Sequence, residues 1–220
     1  MKLSEILFSR TKRLWHASAA KPFVMDMVIG TLDDLKFRQY TLQDYLYLLD
    51  YIEILDRLRG LAQNDEVTDF LCRIIEETSD EAKRVHLPNI KKMGIRAEEI
   101  TRDNELGVVS DYVDFMRRCI DDKGLLGGLT ALLQCSWVYA YTAETLMRKY
   151  PEEIAVSKYR FWFESYSCQS YLDANRMWID TLDKQSAGID KDMTEKLCRI
   201  FEKCALYENS LWDALYVTHS

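Results

Sequence analysis

The sequence predicts an all-α protein, a single-domain helical bundle. Prolines number only three and glycines eight in 220 residues, no low-complexity run occurs, and in almost every long segment apolar residues return at strides of three and four instead of alternating. Hydrophobic residues make up 48% of the chain, enough for one large core, and this length favours one domain, residues 1–220, over two. No internal repeat is evident, which disfavours a solenoid.

Helices are expected at about 2–19, 32–62, 65–92, 104–121, 124–149, 154–184 with a break near Ser165 to Ser170, and 190–217. The first, MKLSEILFSRTKRLW onward, has its apolar residues interrupted by Glu5, Ser9, Arg10, Lys12 and Arg13, which excludes a signal-peptide core. Gly30 followed by Thr31, Leu32, Asp33 and Asp34 reads as a capping box opening the second helix. There FRQYTLQDYLYLLDY sets Phe37, Tyr40, Asp44, Tyr47 and Tyr51 at strides of three, four, three and four, one narrow face at about 100° per residue. Leu42, Tyr45, Leu46 and Leu49 occupy the opposite side, so this helix belongs inside the protein. Asp44 then stands in the middle of an aromatic stripe, where a carboxylate costs several kcal/mol unless something pairs with it.

Gly94 and Gly124 read as turn residues, and Pro22, Pro88 and Pro151 fall at or near proposed ends. In GLLGGLTALLQCSWVYAYTAETL the stripe is Leu132, Cys135, Tyr139, Thr142 and Leu146, which places Cys135 and Tyr139 one turn apart. The last helix repeats the stride with Phe201, Cys204, Glu208, Leu211 and Leu215, Glu208 at its centre.

The net charge is −7, and Lys and Arg are scattered among acids, which disfavours nucleic-acid and anionic-membrane partners and favours a small-molecule or protein partner. No segment is long and uncharged enough to span a bilayer. The six cysteines show no CxxC pair, and Cys198 and Cys204 lie too far apart along one helix to bridge, so reduced thiols and a cytoplasmic location are expected. Cys72, Cys119 and Cys204 read as small inert hydrophobes.

Two acids and a thiol thus point inward from three helices, among tyrosines. Taken singly each has a plain structural reading: an inert buried thiol, or a carboxylate neutralised by a nearby cation. Taken together they suggest a site. Tyr47, Tyr112, Tyr139 and Tyr166 serve equally as core filler or pocket walls. Histidine offers little: His219 is next to the C-terminus, and His16 and His86 have no catalytic-looking neighbour in sequence. No metal centre is expected either, since a di-iron bundle needs a Glu-x-x-His pair on each of two helices. The nearest candidate, Glu81 with His86, has a spacing of five that splays the side chains apart on an α-helix. What is left is a cysteine nucleophile with a carboxylate as proton acceptor and a second carboxylate for the substrate.

FRQYTLQDYLYLL, LLQCSWVYAY and LYENSLWDALY resemble the three hallmark segments of the thiaminase II (TenA-like) proteins. KPFV, EAKRVH and FWFESYS resemble further landmarks in the same order, so the likeness spans nearly the whole chain. The resemblance implies a haem-oxygenase-like fold, a homotetramer, no cofactor, and a place in thiamin salvage. The implied reaction is hydrolytic deamination of 4-amino-5-aminomethyl-2-methylpyrimidine to the hydroxymethyl compound, with slower thiaminase activity. It further implies Cys135 as nucleophile, Glu208 as acid/base, Asp44 as pyrimidine anchor, and Tyr47, Tyr112, Tyr139 and Tyr166 as the pocket. Two departures from the family pattern stand out: Lys21 where His usually precedes Pro22, and SYSCQSY, Ser165 to Tyr171, in place of a more acidic loop. Two competing readings use the same fold, a haem-binding protein with His16 as axial ligand and a non-catalytic ligand-binding protein.

Overall fold

A computed structural model describes residues 1–217, so His219 lies outside it. Among the described residues there is no strand, and the α-helices are α1 (Leu3–Ala19), α2 (Pro22–Val28), α3 (Asp34–Arg59), α4 (Asp65–Glu81), α5 (Leu87–Lys92), α6 (Gly107–Lys149), α7 (Pro151–Val156), α8 (Arg160–Ser167), α9 (Gln169–Gln185) and α10 (Lys191–Val217). The all-α expectation holds. None of these helices is long and apolar enough to cross a membrane.

The helices sort into two compact units. One is built from Met1–Leu32 and Leu129–Tyr216, and holds α1, α2, the C-terminal part of α6 and α7 to α10. The other is built on Asp33–Gly128, and holds α3, α4, α5 and the start of α6.

Within the first unit, Trp15 is buried and its ring meets Phe8 and Trp137 edge to face, at centroid distances of 5.5 and 5.2 Å. The helix α2, seven residues long, was not expected from the sequence. Proline opens it at Pro22, where the missing N–H would be unsatisfied in any case. It ends in a turn: Gly30 has φ 76°, and the N–H groups of Thr31 and Leu32 both donate to the Asp26 carbonyl, at 2.9 and 3.1 Å. That turn consumes the residues of the expected capping box, and the following helix starts two residues late. Its cap is Asp33, whose carboxylate accepts from the Leu35 N–H at 2.7 Å.

The expected helix 154–184 is three helices. Ser157 separates α7 from α8, with its hydroxyl donating to the Met27 carbonyl at 2.6 Å and accepting from the Tyr159 N–H at 3.1 Å. Cys168 separates α8 from α9 with extended angles, φ −67° and ψ 153°, inside the expected Ser165 to Ser170 break.

In the second unit the expected helix 65–92 is interrupted by a π-helical turn, Ala82–His86, between α4 and α5. The Leu87 N–H donates to the Ala82 carbonyl, five residues back. Pro88 falls in the first turn of α5, as its position near an end required.

The long α6 is not continuous. Gly124 (φ 58°, ψ −142°) turns the chain between its two parts, in agreement with the expected boundary, and that φ/ψ pair is one that only glycine adopts at low cost. A side chain at Gly127 would have its Cβ 2.2 Å from the Cys119 carbonyl oxygen, so the turn also needs glycine there.

Leu42 and Leu46 of α3 pack with Ile90 and Ile95, as expected of a buried helix. Leu49 departs from the expectation and is exposed. Asp50, one residue on, is fully buried instead, with Arg102 and Arg117 ion-paired to its carboxylate. Gln43 ties α3 to the segment before α6: its Nε2 donates to the Asn104 carbonyl at 2.8 Å and its Oε1 accepts from the Leu106 N–H at 2.7 Å. None of the six cysteines, all among the described residues, is in a disulfide. Cys119 and Cys204 are buried as expected, but Cys72 is exposed, with its sulfur 3.8 Å from an Arg59 guanidinium nitrogen.

Candidate functional site

The seven candidate residues divide between the units. Asp44, Tyr47 and Tyr112 lie in the second unit, and Cys135, Tyr139, Tyr166 and Glu208 lie in the first.

In the second unit the α3 stripe keeps its expected face, with Phe37, Tyr40 and Tyr51 buried and Asp44 and Tyr47 half-buried. The rings of Tyr47 and Tyr112 stack at 5.9 Å, and the Tyr47 hydroxyl reaches the Met116 sulfur at 3.8 Å. Asp44 lies one helical turn from Tyr47, and its carboxyl is pushed up to about 6. Burial is the main cause, and the negative Glu81 adds to it, while His86 and a hydrogen bond from Tyr40 oppose it. The partner that Asp44 required is His86, whose Nδ1 stands 3.5 Å from Asp44 Oδ2.

His86 is therefore a site neighbour that the sequence reading dismissed. Its Nε2 lies 3.4 Å from Glu81 Oε1, so the two side chains are not splayed apart. The five-residue spacing was judged on α-helical geometry, and a π turn brings residues five apart onto one face. A signal existed in the strides. Ile74, Thr78, Ala82, His86 and Ile90 are all buried, and four successive strides of four drift too far around an α-helix to stay on one face. Thr, Ala and His are not apolar enough for that pattern to register in the sequence alone.

In the first unit, Cys135 is half-buried on α6 and Tyr139 is buried one turn later. The Tyr139 ring rests on Tyr166 at 4.9 Å and on Trp162 and Trp212, each at 5.7 Å. Trp212 belongs to α10, one turn after Glu208, and its indole N–H donates to the Ser18 hydroxyl at 3.0 Å. Glu208 is 1% exposed. The aromatic contacts of Tyr139 on Trp212 and of Trp137 on Phe201 thus link the helix that carries the thiol to the helix that carries the acid.

The departing loop is anchored beside the same turn of α6. Tyr171 donates its hydroxyl to the Ser136 carbonyl at 3.2 Å, and its ring meets Tyr166 at 5.1 Å. Lys21 pairs with Asp213, next to Trp212, at 2.5 Å. His16 is exposed, and both ring nitrogens lie 3.3 Å from the Tyr141 hydroxyl.

A family model described as TENA/THI-4/PQQC matches residues 9–218. The chain belongs to the TENA/THI-4/PQQC family. Among curated members, an aminopyrimidine aminohydrolase of Halalkalibacterium halodurans is 27% identical over 217 residues, 98% of this chain and 96% of that protein. Another of the same name from Helicobacter pylori is 26% identical over 98% of this chain and 99% of its own length. Among solved TenA structures, the TenA homologue of P. horikoshii OT3 superposes with a TM-score of 0.87 at 24% identity, over 98% of this chain and 99% of that one. The TenA fold is therefore the fold of this chain.

Proposed function

We propose that the chain is an aminopyrimidine aminohydrolase of thiamin salvage, working as one domain and as a homotetramer in the cytoplasm. In this reading it converts 4-amino-5-aminomethyl-2-methylpyrimidine to the hydroxymethylpyrimidine and ammonia, and turns thiamin over more slowly. The observation that carries the proposal is the half-buried Asp44 carboxylate, one turn from stacked tyrosines, in a chain that aligns over nearly its whole length with proteins of that name.

The chemistry follows from the side chains. An aminopyrimidine presents a ring nitrogen beside an exocyclic amine, an edge that one carboxylate grips with two charge-assisted hydrogen bonds, and a carboxylate there favours the protonated ring. Asp44 takes this role, with Tyr47, Tyr112, Tyr139 and Tyr166 as aromatic walls. The Cys135 thiolate adds to the electrophilic ring carbon, and the amine on the adjacent methylene departs as ammonia. Water then takes its place, and the cysteine is expelled. Glu208 accepts the thiol proton and returns it to the leaving amine, then serves the incoming water.

The test is to incubate the purified protein with the aminomethylpyrimidine and, separately, with thiamin, measuring ammonia and hydroxymethylpyrimidine. Both products are expected from the first substrate, and hydroxymethylpyrimidine more slowly from the second. The Cys135→Ser variant should lose at least about a thousandfold in rate, while Cys72→Ser and Cys204→Ser keep it. Absence of turnover on both substrates would overturn the assignment, as would a fully active Cys135→Ser.

A further inference from the structure

We propose that His86 is a positioning residue for Asp44, held behind the carboxylate by Glu81 through the π turn Ala82–His86. The proposal deepens the reading above and rests on its assignment of Asp44 as the ring anchor.

The geometry is that of a three-member relay. Asp44 Oδ2 stands 3.5 Å from His86 Nδ1, and His86 Nε2 stands 3.4 Å from Glu81 Oε1. Each ring nitrogen thus faces one carboxylate, and the ring lies between two acids. His86 is buried and Glu81 is partly exposed, so the relay runs from the aromatic stripe of α3 outward to solvent. A continuous α-helix would set residues 81 and 86 about 140° apart around the axis. The π turn closes that gap, and this gives a π turn at this point of the chain a specific use.

Charge makes the relay more than packing. A carboxylate buried among tyrosines takes up a proton unless an opposite charge holds it ionised. Burial opposes the imidazolium of His86, but Asp44 and Glu81 together outweigh it and hold its pKa above the ordinary value. In the same balance the His86 charge pulls the Asp44 carboxyl down against burial.

Among the described residues, His86 is the group of opposite charge that acts on Asp44. From α3, Tyr40 hydrogen-bonds to Asp44, and from α4, Glu81 acts on both Asp44 and His86. On the π turn, Lys83 and Arg84 are exposed, and Arg84 pairs with Asp80. The helix α5 buries only Ile90 and exposes Lys91 and Lys92. The three side chains also do not converge on a point, because the imidazole lies between the acids, and among the described residues no group of three or more His, Cys, Asp or Glu side chains is placed to hold a metal ion.

Two measurements test the proposal. The first follows the His86 ring resonances against pH by NMR in the full-length protein, in wild type, Glu81→Gln and Asp44→Asn. The wild-type ring should titrate above the ordinary histidine value of about 6.5, and each variant should bring it down. A ring that titrates at the ordinary value in all three proteins overturns the relay, whatever the enzyme turns over.

The second measurement is the pH profile of kcat/KM for the aminomethylpyrimidine in His86→Gln, which keeps an amide donor and loses the charge. Its acid limb should move to higher pH by at least about half a unit, because Asp44 loses the opposing charge, and well below that limb the loss should be at least about threefold. A lower rate with an unmoved acid limb would mean that His86 only fills space, and the proposal would fail. If the wild type turns over neither substrate, the functional reading fails, and the ring titration still decides the relay.

Discussion

At the scale of single residues, the proposed role gives Asp44 opposite expected effects on the empty protein and on turnover. Its folded pKa of about 6 lies above the ordinary value of 3.8, so the ionised form is disfavoured by folding. An acid of that kind adds no penalty below its unfolded pKa, and the penalty grows as pH rises from about 4 through 6. Asp44→Asn removes it. The variant should therefore gain about 1 to 3 kcal/mol in stability at pH 7, and nothing near pH 3.5, as read by denaturant midpoints at the two pH values. The same change should cost about 30- to 1000-fold in kcat/KM, because an amide cannot favour a protonated ring. The loss should be similar for thiamin and for the aminomethylpyrimidine, since both present the same ring edge. A variant impaired on one substrate alone would show that Asp44 serves the leaving group. Stride arithmetic put Asp44, Cys135 and Glu208 on inward faces; Glu208 is almost fully buried, while Asp44 and Cys135 are half-buried. It could not supply the partner of Asp44, which comes from another helix at a spacing that only a π turn makes close.

At the scale of elements, every long helix was legible from its apolar period, and two interruptions were legible as well, the turn at Gly124 and the break near Ser165 to Ser170 that falls at Cys168. Gly124 was expected as a turn and turns the chain; the π turn and the break at Ser157 carry no glycine or proline of their own and were missed. Buried charge was the other hidden feature. Asp50 falls in LLDYIEIL, where the sequence offers no sign that two arginines more than fifty residues away will meet it. The three members differ in exposure: Asp50 is 0% exposed at its side chain, Arg102 56% and Arg117 32%. Deleting the acid leaves guanidinium groups that reach water, so Asp50→Ala should cost only about 1 to 2 kcal/mol. Deleting both cations strands a buried carboxylate, and Arg102→Ala with Arg117→Ala should cost about 3 to 5 kcal/mol. Chemical denaturation at pH 7 checks the order. A larger loss from Asp50→Ala would mean that the arginines are not released to solvent.

At the scale of the whole molecule, the family match and the curated relatives extend over nearly all of the chain. The remaining question is whether the chain needs anything besides substrate and water. The proposed chemistry uses a thiol and two carboxylates, Cys135, Glu208 and Asp44. Catalytic zinc and di-iron sites draw on histidine nitrogen as well as carboxylate oxygen. In the second unit the nitrogen ligand nearest to Asp44 is His86, and both its ring nitrogens already face carboxylates, Nδ1 toward Asp44 and Nε2 toward Glu81. A metal ion could claim either nitrogen only by displacing a charge-paired partner and deprotonating a ring that its neighbours hold above its ordinary pKa. Ammonia release should therefore continue at an unchanged rate after exhaustive chelation and dialysis, with metal content checked by elemental analysis of the same sample. A large loss that one divalent ion restores would break the cofactor-free mechanism. It would also point to His86 as the ligand, since the relay is where a competing cation would have to enter.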